Sequence, residues 1–176
     1  MTIPLSWFVK KHALLGMTRQ SDIALRAGCS RQYVHEVLYE LIAQGLARKE
    51  KKNATHITKP KKVLFSLASA WRMPNPLQLS MPLKTRAELS EFLFRIGVAH
   101  VFTLTGLQVW VEDTAKLRAF QGRGNVFVYC DARVVNSYGL NGYVDDVQRF
   151  CDFFSHDVEK ALSFAKHKAL LYAHNH

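Results

Sequence analysis

The stretch at residues 20–45, QSDIALRAGCSRQYVHEVLYELIAQG, predicts two helices joined by a tight turn. The first helix covers residues 20–26, and Gly28 then interrupts it with a residue that adopts backbone angles other residues avoid. Ser30 stands where a helix N-cap belongs, and Gly45 is a natural stop for the second helix. Between them, apolar residues recur at the three- and four-residue steps of an amphipathic helix: Val34, Val37, Leu38, Leu41 and Ile42.

Four positions make this pattern typical of a DNA-binding helix-turn-helix. Ala24 is small and lets the two helices approach closely, while Gly28 forms the turn. Val34 and Val37 hold the second helix against the first. The stretch resembles the helix-turn-helix of bacterial and archaeal transcription regulators. The alternative is an ordinary pair of antiparallel helices without a nucleic-acid role.

The outward face of the second helix contains the candidates for reading bases. At about 100° per residue, turning the valines inward turns Gln32, Glu36, Tyr39 and Ala43 outward. The N-terminal part of such a helix enters the major groove, where Gln suits adenine and Arg suits guanine. The candidates for contact with base edges are Arg31, Gln32, His35 and Glu36. For each of them the alternative is a solvated side chain or a phosphate contact.

A basic β-hairpin is predicted directly after Gly45. Leu46 begins one strand, residues 55–58 form another with β-favouring side chains, and the turn between them is rich in lysine. A helix-turn-helix followed by such a hairpin is the winged-helix arrangement, whose wing follows a phosphate backbone or a minor groove. The alternative is a solvated hairpin tip. The candidates for phosphate or wing contacts are Arg19, Ser30, Tyr33, Tyr39, Arg48, Lys49, Lys51, Lys52, Asn53 and Lys59.

The net charge of +10 is concentrated in the first part of the chain. Residues 1–72 contain 13 Lys and Arg against 4 Asp and Glu, a formal charge of +9, whereas residues 73–176 carry +1. The basic residues therefore lie in the segment whose pattern already indicates DNA binding. This is the charge distribution expected of a phosphate-binding surface.

The sequence predicts an α+β protein with two domains. Residues 1–72 form the winged helix-turn-helix domain, including a first helix at 3–15 and a later one at 63–71. Prolines at 74, 76 and 82 indicate a stiff linker at 73–84. Residues 85–176 are expected to form an α+β domain with a small sheet, used for protein contact or oligomerisation. Its predicted helices are 85–96, 114–120, 144–154 and 157–173, and its predicted strands are 98–105, 107–111 and 125–130. Thr85 followed by Glu88 predicts a capping box at the start of the first of these helices.

No common catalytic motif is present, and we expect a non-enzymatic protein with no catalytic residue, metal or cofactor. Gly122 and Gly124 are best interpreted as a turn before a strand. Glu112 and Asp113 with Lys116 could imitate part of a nuclease metal site, but the third ligand that such a site needs cannot be identified. The alternatives are a nucleic-acid-processing enzyme with a nuclease-like second domain and a non-specific architectural DNA-binding protein. A basic interaction module for an acidic protein or RNA is also possible on charge grounds.

The cysteine pattern and the start of the chain favour a cytoplasmic protein. The three cysteines are far apart and form no C-x-x-C pair, which argues against a disulfide framework and a cysteine zinc site. No apolar run approaches the ~20 residues of a membrane span, and lysines interrupt the apolar N-terminus too early for a signal peptide. We expect no membrane partner.

Several short motifs suggest a family. They are KPKKVL at 59–64, Trp71, FTLTG at 102–106, the strand at 125–130 and VDDVQRFCD at 144–152. With the helix-turn-helix, this series resembles the AbiEi-type antitoxin regulators of type IV toxin–antitoxin systems, in which an LTG step and a V-x-x-x-Q-x-x-x-D helix recur. The resemblance implies cooperative binding to promoter repeats, negative autoregulation and a second domain with antitoxic or protein-contact function. The expected function is a sequence-specific regulator of double-stranded DNA, a repressor acting as a homodimer or cooperative oligomer, with a cognate toxin as a possible partner.

Overall fold

The computed structural model describes residues 3–50, 54–103, 106–138, 144–168 and 170, and shows a mixed α+β chain, as predicted. The helices are α1 Leu5–Leu14, α2 Gln20–Ala27, α3 Arg31–Ala43, α4 Pro60–Ala70, α5 Arg86–Arg95, α6 Ala132–Tyr138, α7 Asp146–Phe154 and α8 Val158–His167. The strands are β1 Ala47–Lys49, β2 Thr55–Ile57, β3 Leu77–Leu79, β4 His100–Phe102, β5 Leu107–Val111 and β6 Val126–Cys130, and a 3₁₀ helix covers Ala115–Phe120. Within the described ranges, no helix is both long and apolar enough to cross a membrane.

The chain forms two compact units whose limits differ from the predicted domains. The first unit combines Ile3–Arg72 with the described residues from Asp146 onwards, and the second unit is Met73–Asp145. The break after residue 72 coincides with the predicted boundary, but α7 and α8 do not belong to the predicted 85–176 domain. Phe150 and Phe154 of α7 pack edge-on against Phe65 of α4, with ring centroids 5.7 and 5.5 Å apart. Sequence periodicity shows that α7 is amphipathic but cannot show which apolar surface it covers.

The first unit is built around α1. Trp7 donates its indole N–H to the Leu67 carbonyl of α4 at 3.0 Å, and its ring lies 4.7 Å from that of Trp71. On the other side, α1 contacts α2 and α3. Gly28 adopts φ +66° and ends α2, while Val34 and Val37 are buried. The predicted helices, their turn and the inward face of α3 are therefore confirmed.

A short antiparallel hairpin follows α3. Strands β1 and β2 pair with Ala47 opposite Ile57. The chain between α1 and α2 joins the same hairpin, because Thr55 donates its N–H to the Thr18 carbonyl at 3.0 Å and Arg19 forms an antiparallel bridge with Ala54. Nothing in the sequence predicted this third, strand-like segment.

The second unit contains a four-stranded sheet in the order β3-β6-β5-β4. Strands β5 and β6 are parallel and connected through the 3₁₀ helix, whereas the two outer strands pair antiparallel to their neighbours. Leu89 and Leu93 of α5 pack on one face of this sheet, in a core with Val109 and Val128. Helix α6, which was not predicted, contacts β4 and β5.

The predicted linker at 73–84 is partly a strand. Leu77–Leu79 pairs with β6, with Leu77 opposite Val128, and Leu79 is fully buried in the core. Despite its prolines, this segment is therefore not an unpaired linker along its whole length. Proline is tolerated beside or on an edge strand, since the outer N–H groups of such a strand need no ladder partner. The predicted linker begins where the second compact unit begins, and three of its residues pair with β6.

Helix α5 begins with the predicted capping box. The Thr85 hydroxyl accepts the N–H of Glu88 at 3.2 Å, and the Glu88 carboxylate accepts the N–H groups of Lys84 at 2.7 Å and Thr85 at 3.3 Å. These backbone hydrogen bonds favour the ionised carboxylate and lower the pKa of Glu88.

The lowered pKa of Glu88 makes part of the stability depend on pH. The contribution is fully present above the ordinary glutamate pKa and is lost as the pH falls through the lowered pKa of the folded state. We expect Glu88→Gln to lower the urea midpoint at neutral pH and to match the wild-type protein in acid. A deficit of equal size at both pH values would contradict this account.

Candidate nucleic-acid interface

The N-terminal end of α3 is capped but carries an unusual charge. Ser30 accepts the N–H of Tyr33 at 3.1 Å through its hydroxyl oxygen, as the sequence predicted for an N-cap. The first turn of α3 contains Arg31 and no acidic residue, although the helix dipole favours negative charge there. Arg31 is exposed, and no hydrogen bond or ion pair joins it to another described residue. Folding alone therefore does not account for a cation at this end of α3.

The four candidates for base contact lie together on the exposed side of α3. Arg31, Gln32, His35 and Glu36 all face solvent along its first two turns. Gln32 donates from its amide to a Glu36 carboxylate oxygen at 3.4 Å, a weak hydrogen bond along the helix. All four side chains carry hydrogen-bonding groups that a base edge could use. Arg31, Gln32 and His35 offer nitrogen groups, and Glu36 offers acceptor oxygens.

Gln20, at the start of α2, is a site residue that the sequence analysis missed. Its amide nitrogen lies 3.2 Å from Nδ1 of His35. This contact joins the amide of Gln20 to the imidazole of His35 and fixes the two side chains relative to each other. Together with Arg31 and Gln32, these two side chains line a surface depression of about 410 Å³. Gln20 precedes His35 by fifteen positions, and only the packing of α2 against α3 brings them together.

A second depression, of about 220 Å³, lies between α3 and the hairpin. Tyr39 is 65 % exposed, and its ring centroid is 6.4 Å from that of His35. On the hairpin side, Lys49 of β1 reaches the same depression. The depression is lined by Gln20, His35, Leu38, Tyr39, Ile42, Lys49 and Thr55. Two predicted phosphate contacts, Tyr39 and Lys49, are thus neighbours of the base candidate His35.

The basic residues of the hairpin differ in how they are engaged. Arg19 is exposed beside the bridge to Ala54. Arg48 lies 2.9 Å from a carboxylate oxygen of Glu50, whose other oxygen is 3.1 Å from His56. Exposed pairs of this kind contribute at most about 1 kcal/mol, so a phosphate can compete for Arg48. The predicted wing residues Lys51, Lys52 and Asn53 lie outside the described residues.

The remaining phosphate candidates lie near opposite ends of α3. Tyr33 is half-buried near the N-terminal end. The Lys59 ammonium lies beside Gly45, at the opposite end of this 13-residue helix, roughly 20 Å away along its axis. Any phosphate that Lys59 contacts is therefore distinct from one near Arg31.

The positive charge remains concentrated when it is counted by compact unit rather than by sequence half. The first unit carries a formal charge of +9 and the second unit +1.

Asp113 and Lys116 of the second unit have structural partners. Asp113 accepts the N–H of Ala115 at 3.1 Å, and Lys116 donates to the Ile96 and Gly97 carbonyls at 2.8 and 3.3 Å. Asp113 thus closes the turn before the 3₁₀ helix, while Lys116 satisfies carbonyls at the end of α5. In the part of the chain that the structure describes, no three His, Cys, Asp or Glu side chains form a group that could hold a metal ion.

The candidate interface therefore consists of the first two turns of α3, the start of α2 and the edge of the hairpin. In comparisons with known protein families, curated proteins and solved structures, no match to this chain was found.

Proposed function

We propose that the protein is a sequence-specific regulator that binds double-stranded DNA through its first unit. The observation that carries the proposal is the exposed start of α3, where Arg31 lacks a partner among the described residues and opposes the helix dipole. A guanine edge or a phosphate would supply the acceptors that Arg31 lacks. The formal charge of +9 on the same unit favours an anionic partner.

We further propose that the first unit is a winged helix-turn-helix. Helices α2 and α3 meet at Gly28, and the hairpin of β1 and β2 follows α3 directly. The pairing of residues 18 and 19 with the hairpin ties the start of α2 to β2. This tie supports a fixed position of the hairpin beside α3, which a wing needs in order to contact DNA while the helix occupies a groove.

In this mechanism, α3 enters the major groove with its N-terminal end towards the bases. Arg31 pairs with guanine and Gln32 with adenine, while Gln20 positions the His35 ring for a base contact. Arg19 and Lys49 bind backbone phosphates on the hairpin side. Two copies occupy a DNA repeat and block transcription, with the second unit serving protein contact rather than catalysis. Autoregulation and an antitoxin-like role with a toxin partner are the part of the proposal that rests on the family resemblance.

Binding to the upstream region of the protein's own gene tests the proposal. The measurement compares that fragment with a scrambled duplex of equal length and composition at several salt concentrations. We expect a preference for the natural fragment and a steep fall of affinity with salt on both duplexes. Equal affinity for both would instead favour a non-specific architectural DNA-binding protein, the candidate that the charge of +9 supports by itself.

Base reading and phosphate binding are separable by two alanine substitutions. Gln32→Ala should reduce the preference between natural and scrambled duplex by roughly 5- to 100-fold, because an adenine contact contributes about 1–3 kcal/mol of discrimination. Lys49→Ala should weaken binding to both duplexes equally and lower the salt slope by about 1. If both variants changed only the salt-dependent, sequence-blind affinity, the assignment of Gln32 to a base edge would be wrong.

A further inference from the structure

An apolar side chain stands out on the surface of the second unit. Phe94 of α5 is 82 % exposed, whereas its helix neighbour Leu93 is fully buried in the core. Phe94 makes no ring contact with another described residue, unlike Phe92, whose ring packs edge-on against Phe120 at 5.2 Å. A phenylalanine left in water forgoes the burial of its apolar ring, of order 150–250 Å² for the whole residue. A partner surface would recover that burial.

The surface beside Phe94 is a depression of about 760 Å³ between α5 and the chain leading into β4. Small residues line much of it, and Val98 forms part of its floor. Its polar groups are already engaged, since Ser90 and His100 hydrogen-bond each other at 2.9 Å and the other ring nitrogen of His100 lies 3.1 Å from the Val98 carbonyl. The side chains of Ser90 and His100 are therefore engaged within the fold, and the depression offers space and apolar surface to a partner.

A pair of opposite charges lies on this face. Glu91, which lines the depression, lies 3.4 Å from Arg95 one turn later on α5. In an antiparallel arrangement of two α5 helices, the Glu91 of each copy would face the Arg95 of the other, so that opposite charges meet across a two-fold axis. The first unit, with its formal +9, would repel a copy of itself.

We infer that this face binds a second copy of the chain, so that the protein forms a two-fold symmetric dimer in which each Phe94 enters the depression of the other copy. A two-fold interface needs an anchor and a receiving pocket on the same patch, and Phe94 and the depression satisfy this condition. Large aromatic side chains at the centre of an interface typically carry much of the binding energy. The dimer itself is inferred from the second unit alone. Only its use, which is to read repeated DNA sites, rests on the proposed function.

Sedimentation velocity of the full chain, without DNA and over a range of concentrations, tests the inference. The wild-type protein should dimerise, and Phe94→Arg should raise the dissociation constant of the dimer by about 100-fold or more, because two central aromatic contacts are lost per dimer. Since Phe94 is exposed, the variant should keep the wild-type circular dichroism spectrum, and its melting temperature should equal that of the wild-type protein at concentrations where both are monomeric.

Leu25→Arg is the matched control. Leu25 of α2 is 84 % exposed and the substitution adds the same charge, but to the first unit. This variant should dimerise like the wild-type protein. A monomeric wild-type protein at every concentration, an unaffected Phe94→Arg dimer, or equal dissociation by both substitutions would each overturn the inference. Because no DNA is present, none of these results bears on whether the first unit reads DNA.

Discussion

Arg31→Glu is expected to abolish sequence-specific DNA binding while making the first unit more stable. The substitution removes a cation from the N-terminal end of α3 and places a carboxylate where the dipole favours one, which should add about 0.3–1 kcal/mol. On DNA the same change removes a guanine contact of about 1–3 kcal/mol and adds repulsion from phosphate, so we expect at least a 100-fold loss of affinity. Opposite effects on stability and binding are typical of a residue retained for function at the expense of stability.

The measurement pairs a thermal melt with binding to the natural and scrambled duplexes. A gain of the expected size raises the melting temperature by roughly 1–4 °C in a chain of this length. Lys61→Glu is the matched control, because Lys61 is exposed in the first turn of α4 and the charge change there is the same. It should give a similar gain in stability and a smaller loss of affinity, equal on both duplexes. If Arg31→Glu lost no more specific binding than Lys61→Glu, Arg31 would not read bases.

Gly124→Ala is expected to destabilise the second unit strongly, although it adds one methyl group. A Cβ atom at this position would lie 2.7 Å from Ser80 Cα and 2.8 Å from the Leu79 carbonyl carbon, and would collide with the Leu79 carbonyl oxygen. These atoms belong to the backbone at the end of β3, so no side-chain rotation relieves the overlap. Strand β3 would have to move away from β6 and withdraw Leu79 from the core. We expect a loss of about 3 kcal/mol in the free energy of unfolding.

Urea unfolding followed by circular dichroism measures this loss. Gly122→Ala is the graded control, because a Cβ there would lie 3.0 Å from the Cβ of Ser80, 3.9 Å from its Oγ and 4.0 Å from its backbone nitrogen. This overlap is smaller than the one at Gly124, and a backbone shift of a few tenths of an ångström at Ser80 relieves it, so this variant should cost less. Equal costs for the two alanine variants would show that the turn, rather than the contact with β3, requires glycine.

Local sequence signals predicted most of the first unit. The positive φ of Gly28, the N-cap at Ser30 and the buried faces of Val34 and Val37 all follow from residues within one turn of each other. The capping box at Thr85 and Glu88 was predicted for the same reason. The exposed set on α3 also followed from its period, which decides which side chains face outward once the apolar side is buried.

The sequence by itself therefore determined the helices of the first unit, their turn, the exposed face of α3 and the location of the positive charge, because each depends on neighbours close in the chain or on composition. Only the tertiary structure showed which residues distant in sequence contact each other. It placed α7 against α4 through Phe65, paired the supposed linker with β6, and brought Gln20 to His35. It also showed Gly124 packed against the backbone of β3. These contacts join residues far apart in sequence. Their energy comes from burial and strand pairing, which the local periodicity of the sequence does not predict.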